Sequence, residues 1–154
     1  MNSNLLQAFQ KKINSFFKSN KIDHGLISNA ALDTLQILKE NKYDAFIVGG
    51  AVRDILMGYK PKDFDIATNA TPEQVRSIFK RSRIIGRRFK LVHVIYGREI
   101  IEVSTFRAKP RQKIQMRNGV IKDNEYGSIE EDAERRDFTI NGLYYDVENK
   151  NKIQ

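Results

Sequence analysis

The sequence predicts an α+β (α/β) fold in which a mixed β-sheet is flanked by helices. Two observations support this prediction. Short apolar runs of strand length recur along the chain, the clearest at residues 45–48, and segments with helix start signals lie between them. Because a sheet must bury its apolar face against another layer, this alternation of strands and helices predicts one sheet covered by helices.

The chain divides into an N-terminal helical extension, residues 1–27, and a head domain, residues 28–154. In the extension, apolar residues within 5–17 recur at helical spacing, which predicts an amphipathic helix. We favour a helix that packs on the domain over one that lies on a membrane surface. A second helix is predicted from Ser28, as its N-cap, to about Asn41.

The head begins with a predicted buried strand at residues 45–48. Gly49 and Gly50 end this strand, and a short helix follows at residues 51–57. A second strand is predicted at residues 63–67. This order places a glycine turn and a helix between two strands of the sheet.

Two capping boxes mark later helix starts. Thr71 begins a helix predicted to end near Lys80, and Ser128 begins one predicted to run through Arg136. Residues 108–126 show little periodicity, and we weigh a solvated surface loop equally with a mobile basic arm near a phosphate backbone. The remaining predicted strands lie at residues 83–85, 91–96, 99–106 and 143–147.

Charge and composition narrow the class of protein. The net charge is +8, from 27 basic and 19 acidic side chains, which favours a polyanionic partner such as nucleic acid, nucleotide or an anionic membrane. The chain has no cysteine, which excludes disulfides and thiolate zinc sites. No apolar run is long enough to span a bilayer and no convincing signal peptide begins the sequence, so we expect a cytoplasmic protein.

An acidic pair, Asp63 and Asp65, is the sharpest chemical feature. On a strand, positions i and i+2 point to the same face, so two carboxylates about 7 Å apart along the backbone can converge on one metal centre. Oxygen ligands suit Mg²⁺, which keeps waters and substrate phosphates in its other positions. Such pairs are common on exposed strands and turns, but the preceding glycine turn and helix favour a metal site here.

The glycine turn is a candidate phosphate site. Gly49 and Gly50 let the backbone approach a ligand closely, and free N–H groups at a helix start attract phosphate. The alternative is an ordinary tight turn. Arg53 lies on the first turn of the helix, where the dipole disfavours a cation, which suggests a bound anion or a carboxylate partner such as Asp54.

Three further features of the sequence contain charged residues or a histidine. Glu102 lies in an otherwise apolar strand, where it either faces water or completes a three-carboxylate metal cluster with the acidic pair. Arg135, Arg136 and Asp137 concentrate two guanidinium groups and a carboxylate, and arginine forks match phosphate oxygens well. His93 lies between two valines on a predicted strand, and we interpret it as structural.

Together these residues resemble the nucleotidyltransferase head of the bacterial poly(A) polymerase and tRNA CCA-adding enzyme family, class II of the polymerase-β-like superfamily. Four motifs carry the resemblance, in the family's order and spacing. They are Val-Gly-Gly-Ala-Val-Arg-Asp at 48–54, Lys-Asp-Phe-Asp at 62–65, Ile-Glu-Val-Ser-Thr-Phe-Arg at 101–107 and Arg-Arg-Asp-Phe-Thr-Ile-Asn at 135–141. The implied fold is a polymerase-β-like head.

The resemblance also implies roles. Asp63 and Asp65 would bind two Mg²⁺ ions, with Mn²⁺ as an alternative metal, and would act in catalysis. The third carboxylate would be Asp137 by analogy with poly(A) polymerases or Glu102 by analogy with CCA-adding enzymes, and the sequence does not separate the two. The residues that would bind the nucleotide are Gly49, Gly50, Arg53, Asp54, Arg135, Arg136 and Asn141.

Residues 85–94, 63–72 and 127–133 are more similar to the poly(A) polymerase branch than to the CCA-adding branch. The resemblance therefore implies addition of AMP from ATP to RNA 3′ ends, with release of pyrophosphate. Two alternatives are a tRNA CCA-adding enzyme, which uses CTP and ATP, and a non-catalytic RNA- or nucleotide-binding module. Family members usually continue into helical neck, body and tail regions, so we expect a fragment whose isolated head is inactive or binds NTP weakly.

Overall fold

The structure of the protein is a computed structural model that describes residues 22–108, 126–136 and 142–148, together with Ser15. Within these residues a 3₁₀ helix (His24–Leu26) comes first. The helices that follow are α1 (Asn29–Glu40), α2 (Gly50–Leu56), α3 (Pro72–Ile78) and α4 (Ile129–Arg135). The strands are β1 (Ala45–Val48), β2 (Phe64–Thr68), β3 (Ser82–Ile85), β4 (Leu91–Tyr96), β5 (Glu99–Thr105) and β6 (Tyr144–Tyr145).

The described strands form one mixed sheet in the order β3-β4-β5-β2-β1-β6. The pair β2 and β5 is parallel, and every other neighbouring pair in this sheet is antiparallel. β2 and β1 therefore lie in the interior of the sheet, with neighbours on both sides. The predicted α+β arrangement, a mixed sheet flanked by helices, is confirmed.

One face of the sheet, called the first face below, carries the main hydrophobic core. Side chains alternate between faces along a strand, so Phe64 and Ile66 on β2 point to this side and are 2% and 0% exposed. Helices α1, α2 and α3 contribute apolar side chains to the same cluster, including Leu35 and Leu38 of α1. This core holds the central strands in place.

The opposite face, called the second face, has a smaller apolar cluster under α4. Val48, Ala67, Phe106 and Tyr144 are buried there, and α4 adds Ile129 and Ala133. Farther along the sheet, β5 and β4 place polar side chains on this face, and these keep contact with solvent. The second face is thus apolar under α4 and polar beside it, which leaves an accessible polar surface at the sheet centre.

Local sequence signals set the helix starts. The Ser28 hydroxyl accepts a hydrogen bond from the Ala31 amide at 3.2 Å, and complete capping boxes begin the helices after Thr71 and Ser128. Both capping boxes were predicted. The predicted ends at Lys80 and Arg136 were too late, because the helices end at Ile78 and Arg135 with extended backbone at the next residue.

The predicted strands needed small corrections. β2 begins at Phe64 rather than Asp63, because its pairing with β5 starts at Phe64 opposite Ile101. The final strand is only Tyr144–Tyr145, because it pairs with just two residues of β1, Ile47 and Val48. The remaining strand predictions agree with the structure to within one residue.

Some predictions lie outside the described residues. These are the N-terminal amphipathic helix, apart from Ser15, and residues 109–125 of the basic loop. Among the described helices, none is long and apolar enough to cross a membrane.

Candidate active site

A row of register partners crosses the second face of the sheet. Tyr144 on β6 pairs with Val48 on β1, Val48 with Asp65 on β2, Asp65 with Glu102 on β5, and Glu102 with His93 on β4. Partner residues on neighbouring strands present their side chains on the same face, about 5 Å apart. This central row therefore brings two acidic side chains next to each other in the middle of the sheet.

The surroundings of Asp65 oppose its negative charge. Its pKa is raised from 3.8 to about 6, first because burial removes water from the carboxylate and then because Glu102 lies beside it. The charge of Asp63 acts in the same direction, whereas that of Arg136 lowers the pKa. The site therefore holds more negative charge than its cationic neighbours neutralise.

This excess of negative charge fits a divalent cation. A bound dication would reverse the like-charge repulsion around Asp65, and carboxylate oxygens are the ligands that Mg²⁺ prefers. In the part of the chain that the structure describes, no three His, Asp or Glu side chains form a complete metal site by themselves. Mg²⁺ often uses only one or two carboxylates together with waters and substrate phosphates, so the acidic pair of Asp63 and Asp65 suits it.

Asp63 lies just before β2 and is exposed. It is therefore not on the strand, as the sequence predicted, but at its beginning. Its charge is still close enough to raise the pKa of Asp65. The two carboxylates thus share one electrostatic environment, with one half-buried in the sheet and the other open to solvent.

Glu102 lies on the interior strand β5, between β4 and β2. Its side chain is 44% exposed, and one of its oxygens lies 3.5 Å from His93 Nε2. His93 thus contacts Glu102, its neighbour in the central row, although the sequence indicated only a structural role. The carboxylate of Glu102 faces the same surface as Asp65, which keeps it available as a third metal ligand.

The glycine turn lies directly against Asp65. Gly49 has φ 72° and ψ −144°, a conformation that side-chain-bearing residues rarely adopt. A methyl group placed on Gly49 would lie 3.7 Å from Asp65 Oδ2, and one on Gly50 would lie 3.5 Å from an Arg53 terminal nitrogen. The absence of side chains here keeps the space between the turn, the carboxylate and the guanidinium open.

Arg53 and Asp54 form the pair that the sequence suggested. Arg53 Nε and one terminal nitrogen donate hydrogen bonds to Asp54 Oδ1 at 3.0 and 2.9 Å. The Arg53 side chain is 45% exposed, so the pair adds little to stability and leaves the guanidinium accessible to a ligand. Both residues lie on α2, next to the glycine turn.

Of the Arg135 to Asn141 motif, the structure describes only the two arginines. Arg136, the C-cap of α4, acts electrostatically on Asp65 and so belongs to the site. Arg135 lies on the last turn of α4, and it is not among the described residues whose charges shift the pKa of Asp65. Asp137 and Asn141 lie outside the described residues.

Two residues of the site were missed by sequence reasoning. Asp132 and Tyr144 both bind the Arg136 side chain. A signal for Asp132 was available, because it precedes Arg136 by four residues on a predicted helix, which is the spacing of a helical ion pair. Tyr144 gave no such signal, because its role depends on the pairing of β6 with β1.

Comparisons with known proteins identify relatives of the chain. The family described as the Poly A polymerase head domain matches residues 45–154. Poly(A) polymerase I of Escherichia coli is 55% identical over 129 residues, which cover 79% of this chain and 28% of that protein. The chain therefore spans less than a third of the length of this curated relative.

Solved structures show the same architecture. The Bacillus stearothermophilus CCA-adding enzyme in complex with CTP matches with a TM-score of 0.63 and 40% identity, over 75% of this chain and 27% of that one. A tRNA nucleotidyltransferase complexed with a primer tRNA and an incoming ATP analog matches with a TM-score of 0.54 and 30% identity, over 78% and 33% of the two chains.

The raised pKa predicts that Asp65→Asn stabilises the metal-free protein near pH 7. Ionised Asp65 costs stability because its pKa is about 6 in the folded state and 3.8 in the reference state. The cost is absent below about pH 4, grows as the pH rises to 6 and is constant above it. We expect a gain of about 1–2 kcal/mol at pH 7, after allowance for partial solvent screening. Urea denaturation of both proteins between pH 4 and pH 8, without metal, measures the difference.

Mg²⁺ provides the control for this prediction. It should raise the denaturation midpoint of the wild-type protein at pH 7 and leave that of Asp65→Asn almost unchanged, because the amide carries no charge to neutralise. An equal shift in both proteins, or a variant that is less stable than the wild type at pH 7, would contradict the interpretation of the site.

Proposed function

Because this chain belongs to the poly(A) polymerase head-domain family, we propose that it is the catalytic head of a template-independent RNA 3′-end nucleotidyltransferase. The family and the nucleotidyltransferase-head fold predicted from the sequence are both confirmed. The proposed reaction adds AMP from ATP to an RNA 3′ end and releases pyrophosphate. The observation that carries the proposal is the position of Gly49 next to the Asp65 carboxylate, where an added methyl group would reach van der Waals contact with Oδ2.

The acidic residues would hold the metal. Asp63 and Asp65 would bind two Mg²⁺ ions, which would activate the attacking 3′-hydroxyl and neutralise the leaving pyrophosphate. Glu102 is supported as a third ligand by its place beside Asp65 in the sheet. Asp137 directly follows Arg136 and stays a candidate for the same role.

The remaining residues of the site would bind and orient the nucleotide. Gly49 and Gly50 leave room for a triphosphate to approach the backbone beside Asp65. Arg53 and Arg136 present guanidinium groups near this space, and such groups bind phosphate oxygens well. Holding the α-phosphate in line with the hydroxyl lowers the entropic cost of the reaction, so positioning would supply much of the rate enhancement.

ATP is favoured over the CTP-and-ATP pattern of CCA addition. The identity to Escherichia coli poly(A) polymerase I is 55%, against 40% for the Bacillus stearothermophilus CCA-adding enzyme. CCA addition is the second candidate, because that enzyme shares the fold. A non-catalytic binding module is disfavoured, because it would have no need to keep a positive-φ glycine, Gly49, beside the partly buried Asp65.

The proposal predicts that the intact protein extends a short RNA with ATP and Mg²⁺ and scarcely with CTP alone. Asp63→Ala should lower incorporation by at least about 10³-fold, because it removes a metal ligand. Asp33→Ala is the matched control. Asp33 is also exposed, but it lies on α1, which packs on the first face of the sheet. Gel analysis of labelled RNA with each NTP separately measures both effects.

Three results would change this conclusion. Efficient CMP incorporation followed by AMP would indicate CCA addition. An active Asp63→Ala protein would refute the metal assignment. Absence of transfer with every NTP, in an intact folded protein, would favour the non-catalytic module.

A second prediction concerns the glycine turn. Gly49→Ala should lower ATP incorporation by about tenfold or more, because the methyl group strains the backbone and narrows the space beside Asp65. Gly58→Ala is the matched control: Gly58 has a similar φ of 77°, but a methyl group there meets nothing within 4 Å. Both substitutions should cost stability, whereas only Gly49→Ala should impair transfer. Equal activity of the two variants would argue against a nucleotide site at this turn.

A further inference from the structure

Asp132 is a carboxylate buried on α4, with 6% of its surface exposed. Burial of an ionised carboxylate is unfavourable unless donors surround it. Its Oδ1 accepts a hydrogen bond from the Arg107 backbone amide at 3.0 Å. Its Oδ2 accepts from Arg136 Nε and a terminal Arg136 nitrogen at 3.3 and 3.1 Å, and from the Tyr144 hydroxyl. Asp132 thus links β5's C-terminal end, α4 and β6.

Tyr144 holds Arg136 from a second direction. Its hydroxyl accepts a hydrogen bond from Arg136 Nε at 3.0 Å, and the Arg136 guanidinium carbon lies 5.4 Å from the centre of the tyrosine ring. Tyr144 is itself fixed, because it is 1% exposed and packs against Phe46 and Phe106. The Arg136 side chain therefore rests on a rigid aromatic support.

The support holds Arg136 within electrostatic range of Asp65. Tyr144 stands in the central row, two strands from Asp65 and on the same face, with Val48 between them. Because the guanidinium is planar, Nη1 lies on the edge away from the nitrogens that Asp132 binds. The Arg136 side chain is 26% exposed, and its positive charge lowers the pKa of Asp65. One edge of the guanidinium is thus anchored, and part of the side chain keeps contact with solvent.

We propose that Asp132 and Tyr144 are positioning residues that fix the Arg136 guanidinium beside the acidic pair, where it binds a phosphate of the incoming nucleotide. The inference rests on the proposed function, since it names how that site orients its substrate. Neither positioning residue contacts the nucleotide. Without them, Arg136 would sample several rotamers, and the nucleotide would have to order the side chain on binding.

A purely structural role is the competing explanation, because Asp132 also ties three elements together. The neighbouring residue, Tyr145, separates the two explanations. Tyr145 is equally buried, and its hydroxyl is hydrogen-bonded to His24 Nε2 at 2.9 Å, but it points to the first face. Tyr145→Phe removes one hydrogen bond and Tyr144→Phe removes two, and each keeps the ring, so both variants should lose stability.

The test compares Tyr144→Phe, Tyr145→Phe, Arg136→Ala and the double variant Arg136→Ala/Tyr144→Phe in the intact protein. We expect Tyr144→Phe to raise the KM for ATP about tenfold with a smaller change in kcat, because a hydrogen bond to a charged group is lost. Tyr145→Phe should leave KM unchanged. In the Arg136→Ala background, Tyr144→Phe should have no further effect on KM, because the residue it positions is gone.

The wild type and the same four variants are titrated with ATP and Mg²⁺ by calorimetry. If the wild type transfers no nucleotide, the proposed reaction fails, and the same pattern in the dissociation constants for ATP still decides the positioning role. An undiminished effect of Tyr144→Phe in the Arg136→Ala background would overturn the inference. Equal effects of Tyr144→Phe and Tyr145→Phe, or a wild type that binds no ATP, would also overturn it. Asp132→Asn gives an independent check, and it should match Tyr144→Phe in direction.

Discussion

The site depends on a carboxylate that is unfavourably placed at the centre of the sheet, because burial removes water from Asp65 and neighbouring carboxylates repel it. Asp65 and Glu102 are register partners on adjacent parallel strands, and Asp63 adds a third negative charge at the beginning of β2. Such an arrangement opposes folding, so the rest of the domain must hold β2 in place. The apolar core on the first face does so, because Phe64 and Ile66 anchor the strand on either side of Asp65. The domain thus tolerates a locally unfavourable centre that a dication would relieve.

Two arginines lie near this centre, Arg136 within electrostatic range of Asp65 and Arg53 beside the glycine turn, and they differ physically. Arg53 is exposed, adjacent to its carboxylate partner and free to reorient at small cost. Arg136 is held by a buried carboxylate and a buried hydroxyl, so its orientation is largely set before any ligand arrives. A mobile cation can follow a substrate as it moves, whereas a fixed one defines where the substrate must be. The site contains one of each kind.

The sequence predicted what local interactions determine. Helix starts are one example. They could be predicted at Ser28, Thr71 and Ser128, because each hydroxyl accepts a hydrogen bond from the backbone amide three residues later. The glycine turn and Asp65 were also found, because their residue types are unusual in that order. Glu102 was recognised as a candidate, but its place beside Asp65 depends on a parallel pairing that no local signal specifies. The role of Tyr144 was missed for the same reason, since it follows from the lateral order of strands rather than from neighbouring residues.

The two-residue strand β6 sends its tyrosines to opposite sides of the sheet. Tyr145 packs in the main core and is hydrogen-bonded to His24, whereas Tyr144 is hydrogen-bonded to Arg136. Because side chains alternate along a strand, a slip of one position would exchange the two. One register of β6 therefore sets both contacts at once, so the tyrosine that packs in the main core and the tyrosine that binds Arg136 are kept or lost together.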